Sequence, residues 1–152
     1  MNNTIVEYKI KNNNSSLGVE ILDFEYDHIF DDARVSDLRN LWLNYSIIIF
    51  KDLKLSHQQL ENFSLAFGNF GNDPYIDSID GHDNIIEVRR EADEKAPPFG
   101  ASWHSDWSFQ ECPPSATLLH SKIIPPIGGD TFFINTHKAY DDLSNDIKLK
   151  IE

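Results

Sequence analysis

Residues 103–144 read WHSDWSFQECPPSATLLHSKIIPPIGGDTFFINTHKAYDDLS, and this stretch decides the fold. Near its start, one residue separates His104 from Asp106. In an extended strand, side chains at positions i and i+2 point to the same face, so the imidazole and the carboxylate would lie side by side. Divalent metal ions accept both groups, and the non-haem iron(II) site of two histidines and one carboxylate needs one more histidine. His104 and Asp106 are therefore candidate metal ligands.

The rest of the stretch has the pattern of two strands and a helix. Apolar runs predict strands at 115–125 and 130–135, with a Pro/Gly-rich turn at 125–129 between them. A helix is predicted from about Thr136, because apolar residues recur after it at helical spacing. The charged and then Pro/Gly-rich segment 89–101 predicts a loop that leads into the His104 motif.

Working back toward the amino terminus, the same patterns predict five further elements. They are a strand at 17–24, a helix at 32–44, a strand at 46–50, a helix at 56–68 and a strand at 84–88. Ser56 and Gln59 form a capping-box signature at the start of the second helix, and Gly68 ends it. The fold class predicted is α+β, a mainly β core with flanking helices. The strands are fewer than the roughly eight of a jelly roll, so we expect an incomplete domain.

Composition limits the classes of protein that fit. The chain has 152 residues, 40% of them apolar, which predicts one globular domain. Its net charge of −12 disfavours nucleic acid and anionic membrane surfaces as partners. Neither a signal segment nor a membrane span is indicated, and the lone Cys112 suits a reducing compartment, so a cytoplasmic location is expected. Cys112 itself is interpreted as a passive thiol.

Several motifs of the stretch occur in a fixed order. WHSD at 103–106 is followed by Phe109, by the pair Pro113–Pro114, by GGDT at 128–131 and by AYDDL at 139–143. This series closely resembles the taurine dioxygenase and 2,4-dichlorophenoxyacetate dioxygenase (TauD/TfdA) family of iron(II)/2-oxoglutarate-dependent oxygenases. The segments LGVEILDF and SIIIFKDLKLSHQQLENFSLAFG resemble the amino-terminal part of the same family. The resemblance covers nearly all of this chain but about the first half of a typical member.

The resemblance implies a fold, cofactors and site residues. The fold is a double-stranded β-helix (jelly roll), of which 1–152 would be the amino-terminal portion. The implied metal is Fe(2+), with His104 and Asp106 as ligands, and the implied co-substrate is 2-oxoglutarate, contacted by the Thr131 hydroxyl. The second iron-binding histidine and the arginine that pairs with 2-oxoglutarate belong to the family's carboxyl-terminal part, so the chain by itself is expected to be inactive.

The implied activity is hydroxylation of a small organic molecule by O2 and 2-oxoglutarate, with succinate and CO2 as products. The complete enzyme is expected to be a homo-oligomer. An alternative remains open, in which the chain is a non-catalytic β-barrel binding or structural domain, or an inactive fragment. The other histidines are interpreted as solvated, except His120, which is interpreted as a core residue although it could point into the barrel.

The chain departs from the taurine branch of the family at two places. The histidine that grips the sulfonate there is replaced by Asn72 or Asp73 in the loop 69–77, and an asparagine before the WHxD motif is replaced by Gly100. Asp73 and Phe109 are the candidate substrate-pocket residues. The loop supplies carboxylates rather than cations, so taurine is not the expected substrate.

Overall fold

The computed structural model describes residues 8–11, 17–97 and 99–151. The chain divides into two compact units. The first comprises Met1–Leu53 and Ser121–Glu152, and the second comprises Lys54–His120. No described helix is long and apolar enough to cross a membrane.

The first unit contains a three-stranded sheet in the order β1 (Ile10–Lys11), β2 (Val19–Ile21), β3 (Ile48–Phe50). Strands β1 and β2 are antiparallel, and β2 and β3 are parallel. A parallel pair needs a long crossover connection. Here a 3-10 helix and the helix α1 (Asp32–Tyr45) supply it. The predicted strands at 17–24 and 46–50 are confirmed, although both are shorter than predicted.

Helix α1 begins and ends at residues whose chemistry suits those positions. The Asp31 side chain accepts hydrogen bonds from the backbone N–H groups of Ala33 and Arg34, which satisfies two donors of the first turn. At the other end Ser46 adopts a left-handed conformation with φ 63°, and its N–H donates to the carbonyl of Trp42. The predicted helix at 32–44 is confirmed.

Apolar side chains from the sheet and the helices form the core of the first unit. The buried residues are Val19, Ile21, Phe24, Ile29 and Leu38. Val19 and Ile21 lie on one face of β2 because side chains alternate along a strand. The Phe24 ring meets the Phe50 ring edge to face, with centroids 4.9 Å apart.

The second unit is organised around helix α2 (His57–Phe67), in which Phe63 is buried. The Oγ atom of Ser56 accepts a hydrogen bond from the Gln59 N–H, and the Gln59 side chain accepts one from the Ser56 N–H. This reciprocal arrangement is the predicted capping box. Gly68 follows the last residue of the helix, so both predicted ends are confirmed.

Three strands predicted in the later part of the chain are wrong for the residues described. Residues 84–88, 115–125 and 130–135 form no β-strand, whereas the predicted helix is present as α3 (Thr136–Asp141), followed by α4 (Asn145–Ile151). A strand requires a hydrogen-bonded neighbour, and these segments have no ladder partner among the described residues. The structure is α+β with a three-stranded sheet. The double-stranded β-helix stays a prediction.

The unpaired segments leave large apolar side chains exposed in the first unit. We call six of them the apolar strip: Ile123, Ile124, Ile127, Phe132, Phe133 and Ile134. Ile123 and Ile127 are 93% and 91% exposed, respectively. Several large apolar side chains exposed within one short segment are typical of an interaction site or of an aggregation-prone segment.

Candidate metal centre

His104 and Asp106 lie in the second unit, where an irregular segment runs into a turn at 106–109. Trp107 adopts φ 46° in this turn, and its carbonyl accepts a hydrogen bond from the Gln110 N–H. The strand geometry from which the same-face spacing was argued is therefore absent here. The two side chains nevertheless converge, with Nε2 of His104 3.1 Å from Oδ1 of Asp106.

This separation suits two neighbouring ligands of one metal ion. Ligand atoms about 2.1 Å from an ion, and at right angles to each other, lie about 3.0 Å apart. An imidazole nitrogen and a carboxylate oxygen also have the chemistry that iron(II) accepts. The two residues thus fit one edge of a metal's coordination sphere.

The backbone carbonyl of Ser102 fixes the orientation of the imidazole. Nδ1 of His104 lies 2.8 Å from this oxygen. Because a carbonyl oxygen only accepts, Nδ1 carries the hydrogen and donates it. Nε2 is then the nitrogen presented to Asp106. Metal-binding histidines commonly hold their second nitrogen in this way.

The same contacts raise the pKa of His104 above its ordinary value. The hydrogen bond to the Ser102 carbonyl makes the largest contribution, partial desolvation opposes it, and the Asp106 carboxylate adds to the increase. Both acceptors favour the imidazolium form. In the protonated state the two side chains therefore form an ion pair on the protein surface.

A hydroxyl group holds the other oxygen of the carboxylate. Oγ1 of Thr117 donates to Oδ2 of Asp106 at 2.6 Å. Asp106 thus has one oxygen engaged by Thr117 and the other facing His104. Thr117 was not predicted as a site residue. The only sequence feature that could have indicated it is a hydroxyl group within the apolar run 115–125.

Gly100 leaves room for the His104 ring. Its φ of +69° lies in the left-handed region, and a Cβ atom built there would come within 3.3 Å of Cε1 of His104. A side chain at this position would therefore strain the backbone and crowd the ring.

No group of three or more His, Cys, Asp or Glu side chains is arranged to hold a metal ion within residues 8–11, 17–97 and 99–151. His120, the internal alternative as a ligand, is half-buried, and its Nε2 accepts a hydrogen bond from the Leu55 N–H at 3.4 Å. This contact supports the interpretation of His120 as a core residue. The described residues therefore bring together a pair of candidate ligands rather than a triad.

The profile of the family described as "Taurine catabolism dioxygenase TauD, TfdA family" matches residues 8–152. The chain belongs to the TauD/TfdA family. An alkylsulfatase of Acinetobacter baylyi is 30% identical over 87% of the chain and 41% of its own length. A (S)-phenoxypropionate/alpha-ketoglutarate-dioxygenase of Sphingobium herbicidovorans is 28% identical over 89% of the chain and 46% of its own length.

A third TauD/TfdA relative is an alpha-ketoglutarate-dependent sulfate ester dioxygenase of Pseudomonas putida, 28% identical over 87% of the chain and 43% of its own length. The chain thus spans somewhat less than half the length of these curated relatives. Two of them are named as α-ketoglutarate-dependent dioxygenases.

The loop 69–77, in which the TauD/TfdA resemblance suggests substrate contacts, packs against the residues that follow Asp106. The Gln110 side chain donates to the carbonyl of Asn72 at 2.6 Å. The rings of Tyr75 and Phe109 meet edge to face, with centroids 5.6 Å apart. Oδ1 of Asp73 accepts hydrogen bonds from the N–H groups of Tyr75 and Ile76. This oxygen of Asp73 therefore shapes the turn.

Thr131, the residue that the TauD/TfdA resemblance assigns to 2-oxoglutarate, is exposed in the first unit. The same unit contains a cavity of about 290 Å³ that includes none of the predicted site residues. Its lining residues are Leu17, Ser46, Ile47, Phe133, Ile134, Asn135, Thr136 and His137. The convergence of His104 and Asp106, and not this cavity, marks the candidate site.

Proposed function

We propose that this chain carries part of the site of an iron(II)- and 2-oxoglutarate-dependent dioxygenase that hydroxylates a small organic substrate. The observation that carries the proposal is the 3.1 Å separation of His104 Nε2 and Asp106 Oδ1, within a chain that matches the TauD/TfdA family. The names of two relatives, both α-ketoglutarate-dependent dioxygenases, support it.

In this proposal His104 and Asp106 supply two of the three protein ligands of Fe(2+). When bound, the iron with O2 and 2-oxoglutarate supplies the oxidising power for hydroxylation, and succinate and CO2 are the co-products. The chain's own contribution is to hold two donor atoms at a fixed separation. The Ser102 carbonyl supports this role, because it keeps the hydrogen of His104 on Nδ1 and away from the metal-facing nitrogen.

The remaining roles come from the family resemblance. Thr131 donates its hydroxyl hydrogen to a carboxylate oxygen of 2-oxoglutarate. Phe109 and the loop that contains Asp73 form part of the wall of the substrate pocket. The contact between Tyr75 and Phe109 supports the placement of this loop beside the segment that follows the metal motif.

We further propose that residues 1–152 are the amino-terminal portion of one dioxygenase domain. The double-stranded β-helix is then completed by chain that supplies the second histidine ligand and the arginine for 2-oxoglutarate. The coverage of 41% to 46% of the relatives' lengths supports this proposal. The complete enzyme is a cytoplasmic homo-oligomer that binds neither nucleic acid nor membrane. The proposal that residues 1–152 are an amino-terminal portion can be tested by finding whether the reading frame continues past Glu152.

An alternative is a non-catalytic domain or inactive fragment that keeps the family fold, and the lack of a third ligand among the described residues favours it. Anaerobic addition of iron(II) and 2-oxoglutarate to the complete protein distinguishes the two. The dioxygenase should develop the weak visible charge-transfer band of a bidentate chelate, and a non-catalytic domain should not.

Variants of the two proposed ligands make this experiment specific. His104→Ala and Asp106→Ala should abolish the band. His137→Ala should retain it, because this residue is an exposed histidine on α3. A band that persists in both ligand variants would place the iron elsewhere and overturn the site assignment.

A further inference from the structure

The hydroxyl of Thr117 makes a specific contact with the carboxylate of the proposed metal site. Its Oγ1 atom lies 2.6 Å from Oδ2 of Asp106. An ionised carboxylate only accepts hydrogen bonds, so the hydroxyl is the donor. A separation of about 2.5–2.7 Å is typical of a hydroxyl that donates to a charged oxygen. The contact is therefore a strong, charge-assisted hydrogen bond.

Solvation of the carboxylate does not require this contact. Asp106 is 42% exposed, so water can satisfy both of its oxygens. The hydroxyl instead fixes the orientation of the carboxylate, because it binds Oδ2 and thereby directs Oδ1 to Nε2 of His104. Thr117 is well suited to this task, since a β-branched side chain has few χ1 conformations.

The two oxygens of Asp106 therefore have different partners. Oδ2 is held by Thr117 and Oδ1 lies 3.1 Å from His104. We propose that Thr117 is a positioning residue that holds the Asp106 carboxylate with Oδ1 alone directed to the metal ion. The proposal rests on the proposed function, because it requires His104 and Asp106 to bind a metal.

A cobalt(II) titration of the complete protein, in which all three proposed ligands are present, tests this role. The ring-proton NMR signals of His104 report metal at the site even when binding is weak. Thr117→Val removes the hydroxyl and keeps the shape, and it should raise the Kd about 10-fold or more, as is typical for residues that orient metal ligands. Thr117→Ser restores a hydroxyl and should recover most of the affinity. Ser115→Ala, at an exposed residue of the same segment, should bind as the parent chain does.

A combination of variants separates positioning from a general effect on the fold. In an Asp106→Ala background, Thr117→Val should cause no further loss of cobalt affinity. Without metal, the double variant should unfold at the same temperature as Asp106→Ala alone. Equal Kd values for Thr117→Val and the parent chain would overturn the positioning role and leave the metal site standing. A parent chain whose His104 signals do not respond to cobalt would overturn both proposals.

Discussion

The Nδ1 atom of His82 lies 2.9 Å from Oε2 of Glu61, and both side chains are mostly buried. The hydrogen bond from His82 lowers the pKa of the Glu61 carboxyl below its ordinary value of 4.5, and Asn84 adds a smaller effect, while partial burial opposes the decrease. A carboxyl group with a lowered pKa stabilises the folded chain at pH values above the unfolded pKa. This stabilisation is lost as the pH falls through the folded pKa.

Glu61→Gln should therefore lower the thermal midpoint at neutral pH, and the difference from the parent chain should shrink at a pH well below 4.5. Circular dichroism at the two pH values measures this change. Glu87→Gln, at an exposed glutamate of the same unit, is the control and should have little effect at either pH. A difference between Glu61→Gln and the parent chain that is independent of pH would contradict the linkage.

Gly100→Ala should affect both the stability of the chain and the His104 ring. An alanine at φ +69° costs about 1–2 kcal/mol of unfolding free energy, and its Cβ would press on the ring at 3.3 Å. Gly81→Ala is a matched control, because Gly81 has φ +77° but open space where a Cβ would be. Urea unfolding should show similar losses for both variants. Only Gly100→Ala should shift the His104 ring signals, and equal signals in the two variants would refute the crowding.

The apolar strip should cause the 152-residue chain to self-associate. Its six side chains are large and exposed, and uncovered apolar surface favours association. The double variant Ile123→Lys/Ile127→Lys should shift the sedimentation distribution toward monomer. Leu149→Lys places a charge at a residue of α4 outside the strip that is 76% exposed, and should have less effect. A parent chain that sediments as a monomer at high concentration would contradict this prediction.

The 152-residue chain should not convert 2-oxoglutarate to succinate when supplied with iron(II) and O2. Its described residues offer two converging ligands and no third. In the family, an arginine from the carboxyl-terminal part pairs with the far carboxylate of 2-oxoglutarate. Such a charge-assisted hydrogen bond contributes about 1.5–3 kcal/mol, or one to two decades of affinity. Succinate can be measured by chromatography against a no-protein blank. Catalytic turnover by a monomeric preparation would mean that an internal histidine such as His120 completes the site.

The complete enzyme should prefer a neutral or cationic substrate over taurine. A sulfonate requires charge-assisted donors, whereas the loop 69–77 carries the carboxylates of Asp73 and Asp77. Succinate formation with taurine can be compared with that for amines and neutral compounds. A faster rate with taurine than with the whole panel would refute the prediction.

The elements that the sequence predicts well are those stabilised by nearby residues. Helix α2 is an example, because Ser56 and Gln59 satisfy its first turn and Gly68 ends it. The strands predicted at 115–125 and 130–135 require partners distant in sequence, and a local pattern cannot supply them. Local signals thus located helices better than strands.

The candidate site shows the same limit. The spacing of His104 and Asp106 predicted that their side chains converge, and they do, although a turn rather than a strand follows them. Their roles as metal ligands stay a prediction. The contact of Asp106 with Thr117 spans eleven residues and depends on how the turn redirects the chain, so no spacing rule predicted it.

Every contact that orients the ligand pair arises between Ser102 and Thr117. Two of the three proposed protein ligands are consequently inherited as one uninterrupted piece of chain. A recombination event between two relatives with breakpoints just outside this piece would carry both donor atoms and their supports together. The loop around Asp73, which is proposed to contact the substrate, lies outside this piece and meets it at Gln110 and Phe109. Under the proposed function, substitutions in that loop can change the substrate range over evolutionary time while the two ligands and their supporting contacts are transmitted intact.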